Sequence, residues 1–257
     1  MSPTPQTTIT LIRHGQALHN VDHDYTLPDP VLTSLGESQC RTLPERLSTH
    51  PSTLPAPTII FTSPLKRTIQ TSLLGLQPWL QPDDNLTPPR LIALPELQET
   101  SKMPCDTGSD VEELEGIWGE MVEWGALKGE MGEGLGERET WRKKEGVWAP
   151  EPEKLKRRAK WVRAFLKKVA EEEGVEHIVC VLHGGFLHYL TEDWSGQLKT
   201  AGTGWANTEF RSFTLADDPE DPENVKLMET KGSRDARVDT PLGPTEKKQF
   251  EETVVAN

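Results

Sequence analysis

Four short runs rich in β-branched and aliphatic residues constrain the fold of this chain more than any other feature of its sequence. They span residues 7–12, 58–62, 90–94 and 177–182, and a charged residue, serine, proline or histidine follows each one. Runs of this length, bounded in this way, are typical of strands. Strands that are buried on both faces have continuous runs of this kind, so the sequence predicts a parallel sheet flanked by helices.

Helical patterns separate these predicted strands. Ser34 with Glu37 three residues later is a capping-box pattern, and the Ser-Pro pair at 63–64 predicts an N-cap and first residue of a helix through about Gln77. Within residues 153–173, apolar side chains recur at steps of three and four. The alternation predicts an α/β fold with a doubly wound, mostly parallel sheet, in which ligands bind at the carboxyl ends of the strands.

Two segments depart from this alternation. Residues 105–150 are rich in Gly, Glu and Trp, and we expect a helical insertion that covers the carboxyl ends of the strands. A solvated acidic excursion is the alternative. Beyond Leu215 the chain turns polar, with a short last strand near Val225–Met228. We therefore predict one domain over residues 1–215, with 105–150 as its insertion or cap, and a partly disordered polar segment over 216–257.

Charge and composition exclude several classes of function. Among 257 residues, 41 are acidic and 28 basic, a formal net charge of −13, which argues against general binding to nucleic acid. No apolar run approaches the roughly 20 residues of a membrane helix, and the first residues lack the pattern of a secretory signal. Three widely spaced cysteines without a CxxC pair argue against a disulfide framework or a zinc site. We expect a cytoplasmic protein.

Polar side chains with a common chemistry follow three of the predicted strands. Arg13-His14-Gly15 follows the first, Ser63 and Arg67 follow the second, and His183-Gly184-Gly185 follows the fourth. A neutral imidazole can attack phosphorus, and a guanidinium can bind two phosphate oxygens. Each motif alone has a structural explanation, as a histidine with satisfied hydrogen bonds or a solvent-facing arginine. Because the fold gathers strand ends at one edge, together they predict a cationic pocket for a phosphoryl group.

These motifs resemble those of the histidine phosphatase superfamily, in the branch of cofactor-dependent phosphoglycerate mutases and fructose-2,6-bisphosphatases. The likeness runs from residue 9 to about residue 215, in the order of that family. Its five stretches are LIRHGQ at 11–16 with Asn20, LTSLG at 32–36 with Gln39, SPLKR at 63–67 with Gln70 and Thr71, LQE at 97–99, and VLHGG at 181–185. The PELQE and PCDTG stretches, at 95–99 and 104–108, are also similar to fungal phosphoglycerate-mutase-like members.

The resemblance implies a role for each matching residue. It makes His14 the nucleophile that becomes phosphohistidine and Glu99 the acid that protonates the leaving oxygen. Glu96, three residues earlier, is the competing acid, and we choose Glu99 because it fits the Leu-x-Glu pattern of the family. His183 is assigned to the catalytic group beside the phosphoryl oxygens. The residues assigned to phosphate binding are Arg13, Asn20, Arg67 and Gly184. The scheme needs no metal and no cofactor, because the arginines and His183 supply the positive charge.

Departures from the mutase pattern favour hydrolysis over phosphoryl transfer back to the substrate. Ala17 stands where mutases usually have serine, His19 where tryptophan is common, and Thr-Ser-Lys-Met-Pro follows Glu99 in place of Arg-His-Tyr-Gly. The predicted function is thus a phosphatase acting on a small phosphorylated metabolite. The alternatives are a phosphoglycerate mutase and a non-catalytic protein that binds a phospholigand.

Overall fold

The structure, a computed structural model, describes residues 7–50, 54–82, 87–132, 134–194 and 203–255. These residues form a six-stranded sheet. In chain order the strands are β1 (Thr8–Arg13), β2 (Ile59–Thr62), β3 (Arg90–Ala93), β4 (His177–Leu182), β5 (Phe210–Asp217) and β6 (Val225–Glu229). Their order across the sheet is β3-β2-β4-β1-β5-β6. The three pairings among β1 to β4 are parallel, and the pairings of β1 with β5 and of β5 with β6 are antiparallel. The predicted α/β fold with a mostly parallel sheet is confirmed.

Strand β5 is the element of the sheet that sequence reasoning missed. Three consecutive residues of β5 are buried, Arg211, Ser212 and Phe213, and two of them are polar, so the strand has no continuous apolar run. An antiparallel strand near the edge of a sheet needs only one apolar face, which leaves a weaker sequence signal than that of a central parallel strand. The last strand, predicted near Val225–Met228, is present as β6.

Helices lie between and after the strands. They are α1 (Leu18–Val21), α2 (Ser34–Ser48), α3 (Lys66–Gly75), α4 (Gln77–Leu80), α5 (Val111–Trp118), α6 (Pro152–Glu173), α7 (Gly184–Thr191), α8 (Lys231–Ala236) and α9 (Pro244–Val255). Two predicted caps differ. Thr33, not Ser34, caps α2 by accepting a hydrogen bond from the Gly36 N–H at 2.9 Å. Helix α3 begins at Lys66, two residues later than the Ser-Pro pattern predicts, with Leu65 at its N-cap position.

The sheet has one hydrophobic core on each face. Along β4, Ile178 and Cys180 pack into a core with α6 and α7, while Val179 and Val181 pack into a second core with α2 and α3. Successive side chains of a strand point to opposite faces, so a strand between two helical layers must be apolar throughout. This requirement explains why the central strands were readable in the sequence.

The insertion at residues 105–150 is less helical than predicted. Among its described residues, α5 is the one α-helix, and the other helical turns are short 3₁₀ segments. Four tryptophans of the insertion (Trp118, Trp124, Trp141 and Trp148) are buried in the second core, so it is not a solvated acidic excursion. The segment contacts the edge of the sheet through a bridge between Glu123 and Ile92.

The C-terminal segment also differs from the prediction. Residues 216–257 were expected to be partly disordered, yet the structure places β6, α8 and α9 there, and Glu246 and Gln249 of α9 are buried. Its buried polar side chains have hydrogen-bond partners, as Glu246 has in the Trp205 N–H and Gln249 in Asp106, while Leu227 and Phe250 contribute apolar contacts to the first core. No described helix is long and apolar enough to cross a membrane.

Candidate active site

The carboxyl ends of three parallel strands meet at one point of the sheet edge. The register pairs Arg13 of β1 with Leu182 of β4, and the His14 N–H donates to the Leu182 carbonyl at 3.0 Å. On the other side of β4, the Ser63 N–H donates to the Val181 carbonyl at 2.9 Å. This register places His14, Ser63 and His183 side by side. The convergence predicted from strand order is therefore present.

His14 is a neutral imidazole with its proton on Nδ1 and a lone pair on Nε2. Its Nδ1 lies 2.7 Å from the Gly15 carbonyl, which can only accept, so Nδ1 carries the proton. Nε2 is then an acceptor, and Arg67 Nε donates to it at 3.3 Å. Burial, followed by the charges of Arg67 and Arg13, lowers the pKa of His14 well below its usual value. Nε2 therefore retains the lone pair that a nucleophilic imidazole requires.

Two glycines allow the loop after β1 to lie tightly against α2. A Cβ at Gly15 would come within 2.8 Å of the Gly36 carbonyl oxygen, and a Cβ at Gly36 would come within 2.0 Å of the Gln16 carbonyl oxygen. Side chains of the recognised motifs then fix this loop: Thr71 accepts from the Gly15 N–H at 3.0 Å, and Gln39 accepts from the Gln16 N–H at 2.9 Å. The hydrogen bonds of Thr71 and Gln39 therefore hold the loop that follows His14.

Arg67, in the first turn of α3, is buried and held by the insertion. Nη1 donates to the Cys105 carbonyl at 2.6 Å, and Nη2 lies 2.9 Å from Asp106 Oδ1. Asp106 in turn accepts from Ser101 Oγ at 2.6 Å and from Gln249 Nε2 at 3.1 Å. Sequence reasoning did not assign a role to Asp106, although the PCDTG stretch that contains it was among the noted similarities.

His183 occupies the N-cap position of α7. Its ring lies 5.2 Å from that of His14 in an edge-on arrangement, and its Nε2 lies 2.7 Å from Ser63 Oγ. Nδ1 is buried and has no hydrogen-bond partner among the described residues. Burial and the nearby Arg67 lower the pKa of His183 well below its usual value, so its imidazole is neutral and is not the source of positive charge that the resemblance implies.

Arg13 lies beside this group but is turned towards the C-terminal segment. Its Nη1 donates to the Trp205 carbonyl and lies 3.7 Å from Glu246 Oε2, while its Nε is buried without a partner among the described residues. Gly184 provides the space for this arrangement, because a Cβ there would lie 3.0 Å from Glu246 Cγ and 3.2 Å from Arg13 Nε.

Helix α9 covers the site, a feature that no sequence pattern signalled. Thr245 accepts from Asn20 Nδ2 at 3.2 Å, and Glu246 accepts from the Trp205 and Gly243 N–H groups at 3.2 and 2.8 Å. Burial alone would raise the pKa of Glu246, but Arg13 and His188 together lower it below the usual value. With α9 in place His14 is only 3% exposed.

Glu99 lies at the N-terminus of α7, next to His183. Oε1 accepts from the Thr100 and Phe186 N–H groups at 2.8 Å each, and Oε2 accepts from the Gly185 N–H at 3.1 Å. Burial and then the charge of Asp106 raise the pKa of Glu99, although the Thr100 N–H, Arg67 and the Gly185 N–H oppose the change. The carboxyl group can therefore hold a proton at a higher pH than an exposed glutamate.

Glu96, unlike Glu99, contacts the insertion instead of the N-terminus of α7. It accepts from Arg138 Nε at 2.9 Å and from the Leu135 N–H at 3.1 Å, in an ion pair buried between the end of β3 and the insertion. Its described hydrogen bonds link it to the insertion and not to His14 or α7.

A buried lysine adds a further charge behind Glu99. Lys144 Nζ donates to the Glu99 carbonyl at 3.0 Å, and Arg158 Nη2 donates to the Gln98 carbonyl at 3.0 Å. Burial and then the charge of Arg158 lower the pKa of Lys144 to about 7. Sequence reasoning missed both residues, because nothing in a lysine- and arginine-rich helix or turn marks which of its cations point inward.

The structure thus brings three of the predicted residues into direct contact and places the others around them. His14, Arg67 and His183 form the centre, with Arg13 and Gly184 adjacent and Glu99 on the same helix terminus as His183. Asn20 is one step further out, since its amide nitrogen contacts His19 and Thr245. Among the described residues, no group of three or more His, Cys, Asp and Glu side chains is arranged to hold a metal ion.

Comparison with known proteins gives relatives of similar sequence and fold. A probable phosphatase of Schizosaccharomyces pombe is 33% identical over 110 residues, which cover 42% of this chain and 48% of that protein. The chain thus spans about half the length of the curated relative it matches. The solved structure of mycobacterial hydrolase 2 has a TM-score of 0.51 at 17% identity, with 98% of each chain covered. Mycobacterial hydrolase 1 has a TM-score of 0.50 at 18% identity, covering 87% of this chain and 97% of that chain. At these identities, the likeness shows the fold alone.

The family model of the histidine phosphatase superfamily (branch 1) matches residues 9–131 and 120–225. These ranges contain His14, Arg67, Glu99 and His183 and most of the length of the chain. The chain therefore belongs to the histidine phosphatase superfamily, as its motifs predict.

Proposed function

We propose that this protein is a phosphatase that hydrolyses a small phosphomonoester through a phosphohistidine formed on His14. The observation that carries the proposal is the state of His14: a buried neutral imidazole, with its proton fixed on Nδ1 by Gly15 and its Nε2 lone pair facing the Arg67 guanidinium. A nucleophile and a permanent cation at this distance are the parts that phosphoryl transfer requires.

In the first step, His14 Nε2 attacks phosphorus, and the bond from phosphorus to the ester oxygen breaks. Glu99, whose raised pKa favours the protonated carboxyl, donates its proton to the leaving oxygen. Arg67 and His183 lie beside His14 and stabilise the charge on the non-bridging oxygens. The products are the free alcohol, phosphohistidine and the Glu99 carboxylate.

In the second step, a water molecule attacks the phosphohistidine. The Glu99 carboxylate takes a proton from that water, the bond between nitrogen and phosphorus breaks, and inorganic phosphate leaves. Nε2 regains its lone pair and Glu99 its proton, so the site returns to its starting state. The same group acts as acid and then as base, which a carboxyl of raised pKa can do near neutral pH.

Two features support hydrolysis and a small substrate. The residues after Glu99 support Arg67 through Ser101 and Asp106, in place of the mutase-type sequence there. The nearly complete burial of His14 under α9 favours a small ester over a bulky one.

The three cysteines bear on the location of the protein. Cys40, Cys105 and Cys180 are buried free thiols, which supports a reducing compartment such as the cytoplasm.

The test is phosphate release from p-nitrophenyl phosphate, combined with trapping of phosphohistidine by an alkaline denaturing quench after reaction with a substrate labelled on phosphorus. We expect wild-type protein to release phosphate and His14→Ala to lose both release and label. His177→Gln is the matched control, because His177 is also a buried histidine but lies at the opposite end of β4. Interconversion of phosphoglycerates with little phosphate release would instead support a mutase. Ligand binding without a covalent intermediate would support a binding protein.

A further inference from the structure

His19 is a second buried imidazole beside the nucleophile, and the reaction described above leaves it without a role. It lies in α1, is fully buried, and its ring centroid is 6.1 Å from that of His14. From the sequence we expect only a surface or packing position for His19, which stands where the mutase pattern commonly has tryptophan. Its hydrogen bonds indicate a more specific one.

The tautomer of His19 follows from its neighbour Asn20. The Ala17 N–H donates to Asn20 Oδ1 at 3.0 Å, which identifies the other amide atom as the nitrogen. That nitrogen lies 3.0 Å from His19 Nε2 and can only donate, so Nε2 accepts. Burial, then Arg67 and Arg13, lower the pKa of His19 to about 2, so the ring is neutral and its single proton is on Nδ1.

The Nδ1–H group of His19 is a buried donor that has no hydrogen-bond partner among the described residues. Buried donors are almost always satisfied, so a persistent exception needs an explanation. Two other nitrogens around His14, Arg13 Nε and His183 Nδ1, are also buried without a hydrogen-bond partner among the described residues. Three unsatisfied nitrogens on the neighbours of one nucleophile are best explained by an oxygen-rich ligand that binds there.

We propose that His19 is a substrate-binding residue that donates its Nδ1–H to an oxygen of the phosphoryl group bound at His14. This assignment rests on the proposed function for the identity of the ligand. His19 adds a directional hydrogen bond without adding charge, whereas Arg67 and Arg13 supply the charge. Asn20 acts as its positioning residue, because its amide nitrogen fixes which imidazole nitrogen donates.

Competitive inhibition by inorganic phosphate and by vanadate tests this assignment. We expect His19→Phe to weaken both inhibition constants about tenfold to 100-fold, the range for a hydrogen bond to a charged group. His19→Gln, which retains an N–H donor, restores part of the loss. The control His177→Phe removes another buried histidine, and we expect it to lower thermal stability with unchanged inhibition constants. Unchanged constants in folded His19→Phe overturn the proposal.

A second measurement covers the case in which His19→Phe does not fold. In wild-type protein with ¹⁵N-labelled histidine, addition of phosphate should shift the Nδ1–H resonance of His19; an unmoved resonance under saturating phosphate overturns the proposal. Binding of phosphate that depends on His19, without turnover of p-nitrophenyl phosphate, overturns the phosphatase function and supports the role of His19. Absence of any phosphate binding by the wild-type protein overturns both.

Discussion

Glu96 and Glu99 stand three residues apart at the end of β3, and both are buried, yet their surroundings differ in kind. Glu96 pairs with the guanidinium of Arg138, whereas Glu99 is held by main-chain N–H groups and has no cation within 4 Å among the described ion pairs. A guanidinium neutralises a buried carboxylate permanently. Main-chain dipoles do so only in part, and the Asp106 charge works against them.

The difference shows what separates a structural acid from one that can exchange a proton. Glu96 joins the end of β3 to the insertion through its ion pair with Arg138 and its hydrogen bond from the Leu135 N–H. Glu99 can exist with or without its proton at the N-terminus of α7. From the sequence, Glu99 was preferred to Glu96 as the acid only because it fits a family motif. The structure adds a physical reason, because the two carboxyl groups lie in different electrostatic environments.

The largest expected effect comes from Glu99→Gln. The amide keeps the shape of the side chain but cannot donate or accept the catalytic proton, so we expect turnover to fall roughly 10²- to 10⁴-fold with folding retained. Steady-state kinetics with an alkyl phosphate measure the loss. If Glu96→Gln abolishes turnover and Glu99→Gln does not, the two assignments are exchanged.

Glu96→Gln should instead act on stability. Removal of one partner leaves the Arg138 guanidinium buried and unpaired, which costs about 3–5 kcal/mol of the free energy of unfolding. Chemical denaturation measures this cost, and kcat of the remaining folded protein should stay close to that of the wild type. The double variant Glu96→Gln with Arg138→Met should recover part of the loss. A double variant that is no more stable than Glu96→Gln alone would contradict the ion-pair explanation.

The smallest expected effect is the contribution of Glu99 to the pH dependence of the free energy of unfolding. Because its pKa is raised in the folded state, the folded protein binds more protons than the unfolded one between the ordinary glutamate pKa and the raised value. The contribution of Glu99 is therefore complete below the unfolded pKa and is lost as pH rises through the folded pKa. Denaturation of wild type and Glu99→Gln over this range should show the variant gaining relative stability with rising pH. A constant difference would mean that the pKa of Glu99 is not raised.

Sequence reasoning succeeded where local pattern and chemistry coincide. The central strands were predictable because they are apolar on both faces, and the residues at their carboxyl ends were predictable because parallel strands end at one edge. The same reasoning failed for β5, for the insertion and for α9. These parts depend on partners distant in sequence, as when Gln249 donates to Asp106 across 143 positions.

The sequence by itself determined the class of fold and the two histidines and two arginines to expect at the carboxyl edge of the sheet (His14, His183, Arg13 and Arg67), since each follows a recognisable strand or begins a helix. Only the tertiary structure decided the different surroundings of Glu96 and Glu99, the tautomers of His14 and His19, and what covers the site. Those properties are set by burial and by hydrogen-bond partners several ångströms away in space, and no local pattern of residue types encodes them.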